Sequence, residues 1–116
     1  MKPEIKAKWL EELRGGEYKQ SRRTLRNSEG YCCMGVLVDI YIKETGKGSW
    51  NSDYLGNYVF EGDSMSEEAV LPQEVMEWAG LHYPNPNIVD NNPCGKCNDV
   101  LELTFDQIAD AIEKTL

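Results

Sequence analysis

The feature that most constrains this chain is the stretch from Tyr31 to Thr45, which is apolar on nearly every side of a helix. Its apolar positions repeat at the i, i+3, i+4, i+7 spacing of one helical face, and three more widen that face. They are Met34, Leu37, Val38, Tyr41 and Ile42, with Cys33, Val36 and Ile40 beside them. A helix that is apolar all round is buried by the rest of its protein. The sequence therefore predicts a central buried helix that ends at Gly46.

Three other segments have the pattern of helices that cover this central one. They are predicted at residues 3–14, from Leu71–Pro72 to Ala79, and after Thr104, where Gln107 completes a capping box. Each has apolar residues on one face, so their larger side chains should pack in the core. The residues expected to be mostly buried are Trp9, Leu37, Trp78, Phe105 and Ile108.

Strand signals are fewer and shorter. Tyr58–Phe60 is the best strand candidate, and Val70–Leu71 and Ile88–Val89 are shorter ones. Residues 17–27 are predicted to form an extended or irregular arm, and residues 82–98 a loop rich in Pro and Asn. Together these patterns predict a single α+β domain over residues 1–116, with three to four helices packed on a small antiparallel sheet.

Charge is distributed unevenly along the chain. The 116 residues have a formal net charge of −8. Residues 1–48 hold ten basic and seven acidic residues, whereas residues 49–116 hold two and thirteen. The acidic half would repel nucleic-acid phosphates, which argues against extensive nucleic-acid binding by this chain. The first half of the chain could still hold a local anion-binding site.

The basic residues of the arm are the candidate for that local site. Lys19, Arg22, Arg23 and Arg26 fall within eight residues, and could bind phosphate, a nucleotide or an acidic partner surface. On a helix they would share one face. The alternative is that the arm pairs with the protein's own acidic half and has no external ligand.

Four cysteines offer metal chemistry. Cys94 and Cys97 have the CxxC spacing that can hold zinc, and a complete site would add one of Cys32 or Cys33 together with His82, the only histidine. Adjacent cysteines on a helix point about 100° apart, so Cys32 and Cys33 would not both reach one metal. The simpler interpretation makes Cys32 and Cys33 small buried side chains, and Cys94 and Cys97 reduced thiols in a surface turn. No cofactor is expected under that interpretation.

The same residues offer nucleophilic chemistry. Cys32 lies near the start of the central helix, where the helix dipole lowers a thiol pKa. His82 could then act as the base, oriented by Asp39 or Asp90. Such a combination of residue types is common in proteins, so a cysteine-dependent enzyme is the alternative hypothesis and not the leading one.

Four short segments, in a fixed order along the chain, form a signature. They are Lys19–Gln20 leading to Leu25–Arg26, Tyr31–Cys32–Cys33–Met34–Gly35–Val36–Leu37 followed by Asp39, Leu71–Pro72 leading to Val75 and Trp78–Ala79–Gly80–Leu81, and Asn98–Asp99 leading to Phe105 and Ile108–Ala109–Asp110. This order resembles a family of small proteins encoded by tailed bacteriophages and prophages. The resemblance implies a phage origin and residence in the host cytoplasm, and it carries over no catalytic residue. Val38 stands where that family often has a third Cys, and the Cys94/Cys97 pair is outside its pattern.

These observations favour a binding protein over an enzyme. The longest uncharged apolar stretch, Tyr31 to Val38, is far shorter than the roughly 20 residues of a membrane span, and no apolar signal region is evident, so a cytoplasmic location is expected. The leading hypothesis is a small non-enzymatic phage accessory protein that binds a host protein or a small anionic ligand through Lys19, Arg22, Arg23 and Arg26. The alternatives are the cysteine-dependent enzyme and a zinc-stabilised structural domain.

Overall fold

The computed structural model describes residues 1–116, and it has the α+β architecture that the sequence predicts. In chain order the elements are α1 (Pro3–Arg14), β1 (Arg26–Asn27), β2 (Gly30–Tyr31), α2 (Cys33–Thr45), β3 (Ser49–Ser52), β4 (Asn57–Glu61), α3 (Gln73–Ala79), β5 (Asn87–Val89), β6 (Asn92–Pro93), α4 (Cys94–Asp99) and α5 (Phe105–Thr115). None of these helices combines the length and the apolar character that crossing a membrane requires.

The central helix, α2, is confirmed. Every residue from Cys33 to Tyr41 is buried, because other elements cover it on all sides. It ends at Gly46, whose left-handed backbone (φ 71°) is the conformation that glycine adopts without strain. Its start is later than the predicted Tyr31, because that residue pairs with Arg26 in the β1–β2 hairpin.

Helices α1 and α3 pack against α2, and α5 packs against α1 to complete the core. Trp9 on α1 is fully buried, and its indole Nε1 donates a hydrogen bond to the Cys33 carbonyl oxygen at 2.9 Å. The predicted burial is likewise confirmed for Leu37, Phe105 and Ile108. Trp78 is partly buried: it packs against the core, and it also lines a surface cleft together with residues of α1 and α2.

The capping signals of α5 are confirmed in detail. The Thr104 hydroxyl oxygen accepts a hydrogen bond from the Gln107 backbone N–H, and the Gln107 side chain accepts one from the Thr104 backbone N–H. These two bonds satisfy donors that the first turn of a helix leaves unpaired. The helix therefore begins where the local sequence predicts.

A four-stranded antiparallel sheet, in the order β2-β1-β4-β3, lies beside the helices. The predicted strand Tyr58–Phe60 lies within β4, and Phe60 is fully buried. Strand β3 has no sequence signal, since it is mostly polar and exposed, and it forms by pairing with β4. The strand prediction for Val70–Leu71 is wrong, because the Leu71 N–H donates to the Pro84 carbonyl in a loop contact instead.

The segment 82–98 is more ordered than the predicted loop. Ile88 and Val89 form the predicted strand within β5, which pairs with β6. The short helix α4 follows at once and was not predicted. Cys94 and Cys97 on α4 are fully buried, so placing them in a surface turn is wrong. They are buried because α4 packs against α2 and α5.

Candidate binding surface

The basic arm (residues 17–27) is extended and lies against the start of α2. Its main chain pairs with β2: the Ser21 N–H donates to the Tyr31 carbonyl, and the Tyr31 N–H donates to the Lys19 carbonyl, each at 2.8 Å. A side chain at Gly35 would overlap the main-chain carbonyl of Leu25, so glycine is what allows this close approach. The arm is therefore a fixed part of the fold, although it is not a helix.

Asn98 joins the arm to α4 and α2. Its side chain is fully buried, and its oxygen Oδ1 accepts hydrogen bonds from Gln20 Nε2 at 2.8 Å and from the Cys33 N–H at 3.3 Å. Its nitrogen Nδ2 donates to the Ser21 carbonyl and to Asp99 Oδ1, both at 2.8 Å. A buried amide satisfied at both ends positions the groups that it bonds, because breaking any of these bonds leaves a polar atom without water.

The arm's charged side chains point outward from this anchored backbone. Lys19, Arg22 and Arg23 are exposed, and none of them forms an ion pair within 4.0 Å. Arg22 donates from Nε to the Asn98 carbonyl at 3.1 Å, and the Arg23 main-chain N–H donates to Asp99 Oδ1 at 3.0 Å. The structure thus shows no ion pair that would support the alternative, in which the arm neutralises the protein's own acidic half.

Arg26 differs from the other three basic residues. It is half-buried, and its guanidinium lies over the Tyr58 ring, 4.0 Å from the centroid. The Tyr31 and Trp50 rings lie at 5.0 and 5.8 Å. Because a cation stacked among aromatic rings is attracted to their faces, Arg26 stabilises the sheet and is less available to a ligand. The expected four-residue site is therefore divided into three outward cations and one stacked arginine.

A buried carboxylate holds the beginning of the arm. Asp39 accepts hydrogen bonds from the Tyr18 hydroxyl at 2.6 Å and from Trp50 Nε1 at 3.1 Å, and it pairs with Lys43 Nζ at 3.1 Å. Burial acts to raise the pKa of Asp39, but the hydrogen bonds from Tyr18, Trp50 and Lys43 outweigh it, and the pKa is lowered. Asp39 is thus occupied with structural partners and is not positioned to orient His82.

The cysteines lie in the core. The Cys32 thiol caps α2 by accepting a hydrogen bond from the Gly35 N–H, and Cys33 Sγ lies 3.7 Å from the Cys94 carbonyl oxygen. Burial raises the pKa of Cys32, which outweighs the lowering expected from the helix dipole. For Cys33, the side-chain hydrogen bond with the Cys94 thiol and then burial raise the pKa. Both effects oppose formation of the nucleophilic thiolate.

His82 is not brought to the cysteines. It is exposed and lines a surface cleft together with residues at the two ends of the chain, among them Met1 and Leu116. No group of three or more His, Cys, Asp or Glu side chains is arranged to hold a metal ion. The ligand set Cys33, His82, Cys94 and Cys97 is therefore not assembled in this structure.

A comparison with known families matches residues 1–116 to the family described as Domain of unknown function (DUF8296). The chain belongs to this family. The matched range includes the basic arm and α4, so the candidate surface lies within the family's domain. No curated protein matches the chain, and no solved structure matches it.

Sequence reasoning missed Asn98 as a positioning residue. Asn98–Asp99 contributes to the signature described above, but nothing in the local sequence indicates that the amide is buried. Asn is usually exposed, and this one lies in a segment rich in turn-forming residues. Its burial depends on α4 packing against α2, which is a contact between residues distant in sequence.

Proposed function

We propose that this protein is a small, non-enzymatic phage accessory protein of the host cytoplasm, and that it acts by binding an anionic partner through Lys19, Arg22 and Arg23. The observation that carries the proposal is the combination of an anchored backbone with free cations. Asn98 and Asp99 hold the main chain at Ser21 and Arg23, whereas the three charged groups form no ion pair. The phage origin is supported by the resemblance of the four signature segments.

Electrostatics supports a local site on this face. The whole chain has a net charge of −8, so an anion is repelled by most of the surface. The arm is where basic residues concentrate, and because its main chain is fixed by hydrogen bonds, little main-chain conformational entropy is lost when a ligand binds. An anionic ligand should therefore bind at the arm and at few other places.

The test uses two anionic probes, a fluorescent poly-glutamate peptide and inorganic pyrophosphate. We expect the wild-type protein to bind at least one of them at low salt, and more weakly at physiological ionic strength, where screening shortens to roughly 8 Å. Arg22→Glu/Arg23→Glu should weaken that binding by about tenfold or more, since it replaces two attractions by repulsions. Fluorescence anisotropy measures the peptide, and calorimetry measures pyrophosphate.

The matched control is Lys47→Glu/Lys114→Glu, which changes the net charge by the same amount at two exposed lysines outside the arm. It should retain most of the affinity, as should His82→Ala. Equal losses in the arm variant and the lysine control would show attraction by overall charge and no defined site. Absence of binding to both probes would contradict the proposal.

A further inference from the structure

An exposed apolar pair lies beside the cationic side chains. Val100 and Leu101 follow α4 directly, with 67% and 42% of their surface exposed. The segment that contains them runs alongside the arm: Arg22 bonds the Asn98 carbonyl, and Gln20 Nε2 donates to the Leu103 carbonyl at 2.9 Å. We call Lys19, Arg22 and Arg23 together with Val100 and Leu101 the arm–turn surface.

The turn is held rigidly. The N–H groups of Val100 and Leu101 both donate to the Lys96 carbonyl, at 2.9 and 3.0 Å, and the Leu103 N–H donates to the Cys97 carbonyl at 3.0 Å. Because its main chain is bonded in this way, the turn cannot readily fold its apolar side chains inward. The apolar pair is therefore presented to solvent in a fixed position next to the arm.

Two strained backbone positions border the same surface. Arg23 has φ 80° and Glu102 has φ 55°, and they are two of the three residues other than glycine with a positive φ. Such conformations are unfavourable for residues with a Cβ, and they persist where the surrounding structure holds them in place. Glu102 directly follows the apolar pair, and Arg23 lies on the arm that is bonded to Asp99, so the shape of this surface is maintained at a cost.

We infer that the partner of the arm–turn surface is an acidic, amphipathic protein segment, with carboxylates that meet the arm and apolar side chains that cover Val100 and Leu101. This inference rests on the proposed function above. A small anion would leave the apolar pair uncovered, whereas a protein segment can satisfy both parts of the surface. Charge complementarity favours an acidic partner.

The acidic residues near the turn do not reverse this charge. Asp99 accepts hydrogen bonds from the Arg23 N–H and from Asn98 Nδ2, which offset its negative charge locally, and Glu102 is exposed. Against these two stand the three cations of the arm and the exposed Lys96 on α4. Counted over the arm and the turn alone, the arm–turn surface has a positive balance within an acidic molecule; Asp106 lies beyond the turn on α5, in a cleft that Gln20 also lines.

The experiment compares two synthetic peptides of equal charge. One has Leu at i, i+3, i+4 and i+7 with Glu at the other positions, and the second has Ser in place of each Leu. We expect the wild-type protein to bind the leucine peptide about tenfold more tightly. Val100→Ser/Leu101→Ser should abolish that difference while leaving the affinity for the serine peptide unchanged.

The matched control is Tyr54→Ser/Leu55→Ser, which removes another exposed apolar pair, at the tip of the β3–β4 hairpin. It should keep the preference for the leucine peptide. Circular dichroism checks that both double variants fold, which is expected because none of the four side chains is buried in the core.

The outcomes separate this inference from the proposed function. Equal affinity for the two peptides, or a preference that survives Val100→Ser/Leu101→Ser, overturns the inference while anion binding by the arm stands. If the wild-type protein binds none of the four probes, namely the two peptides, poly-glutamate and pyrophosphate, the proposed function is overturned as well. Tighter binding of single-stranded DNA of the same charge than of the leucine peptide would also overturn the inference.

Discussion

The Asn98 side chain donates a hydrogen bond from Nδ2 to the main-chain carbonyl of Ser21, at 2.8 Å and 77 residues apart in sequence. This bond joins the short helix α4 to the basic arm. Because Asn98 Oδ1 also accepts from the Cys33 N–H at the start of α2, one buried amide connects three segments of the fold. The position of the arm's cations thus depends on a residue far from them in the chain.

Asn98→Ala should lower the free energy of unfolding by about 3 kcal/mol, since it leaves buried hydrogen-bonding groups without partners. Urea denaturation measures the loss. In this variant, the hydrogen-exchange rate of the Ser21 N–H should increase relative to wild type by more than the rates of the amides in α5 do. A loss below about 1 kcal/mol would mean that water replaces the amide and that the arm is positioned by other contacts.

Ser21→Ala is the informative control for that variant. Ser21 is buried beside Asn98, but its hydroxyl oxygen has no hydrogen-bond partner. Removing an unsatisfied buried hydroxyl should leave stability within about 0.5 kcal/mol of wild type or raise it. Similar losses in the two variants would indicate that the site is sensitive to any change, independently of the amide's hydrogen bonds.

Gly35→Ala should be among the most damaging small substitutions in this chain. Its Cβ would overlap the main-chain carbonyl of Leu25, and neither α2 nor the arm can move away without losing buried contacts. We expect a loss of roughly 3 kcal/mol or more in urea unfolding. Gly46→Ala is the comparison: its Cβ has open space but a left-handed backbone, so about 1 kcal/mol is expected. Equal losses would argue against a steric role for Gly35.

The acid side of the stability profile should reflect Asp39. Its pKa in the folded protein is lower than the ordinary value of 3.8, so the unfolded chain takes up the proton first as the pH falls. The stabilisation by ionised Asp39 is therefore complete well above pH 3.8 and is lost as the pH falls through the lower, folded-state pKa.

Asp39→Asn isolates this effect, because other carboxylates titrate in both proteins and cancel in the difference. At neutral pH the variant should be less stable by about 1–3 kcal/mol. The difference between the two proteins should narrow as the pH approaches about 3. Unfolding curves across this pH range measure the difference in stability. A difference that stays constant with pH would show that ionisation of Asp39 does not stabilise the fold.

The cysteines should react slowly in the folded protein. All four are buried, and burial acts to raise the pKa of Cys32 and Cys97. Alkylation by iodoacetamide at neutral pH should be at least about tenfold slower in the native protein than in urea, because few thiolates form and access is blocked. Mass spectrometry identifies the modified residue. Rapid alkylation of Cys32 or Cys33 alone would restore the cysteine-dependent enzyme as the better hypothesis.

Local signals in the sequence determined four of the five helices and the fold class. The apolar stripe of α2, the capping box at Thr104 and Gln107 and the glycines at helix ends act over one or two turns, so they can be read without tertiary contacts. The charge contrast between the two halves is likewise a property of the sequence alone. It identified the arm as the basic segment of an acidic chain.

Tertiary structure decided everything that depends on contacts between distant segments. The polar strand β3 forms only because β4 pairs with it, and Cys94 and Cys97 are buried only because α4 packs on α2. The same holds for the division of the basic arm, in which Arg26 is stacked among aromatic rings while Arg22 faces solvent. Burial and hydrogen-bond satisfaction are properties of a residue's surroundings, and the neighbours that supply them lie tens of residues away along the chain.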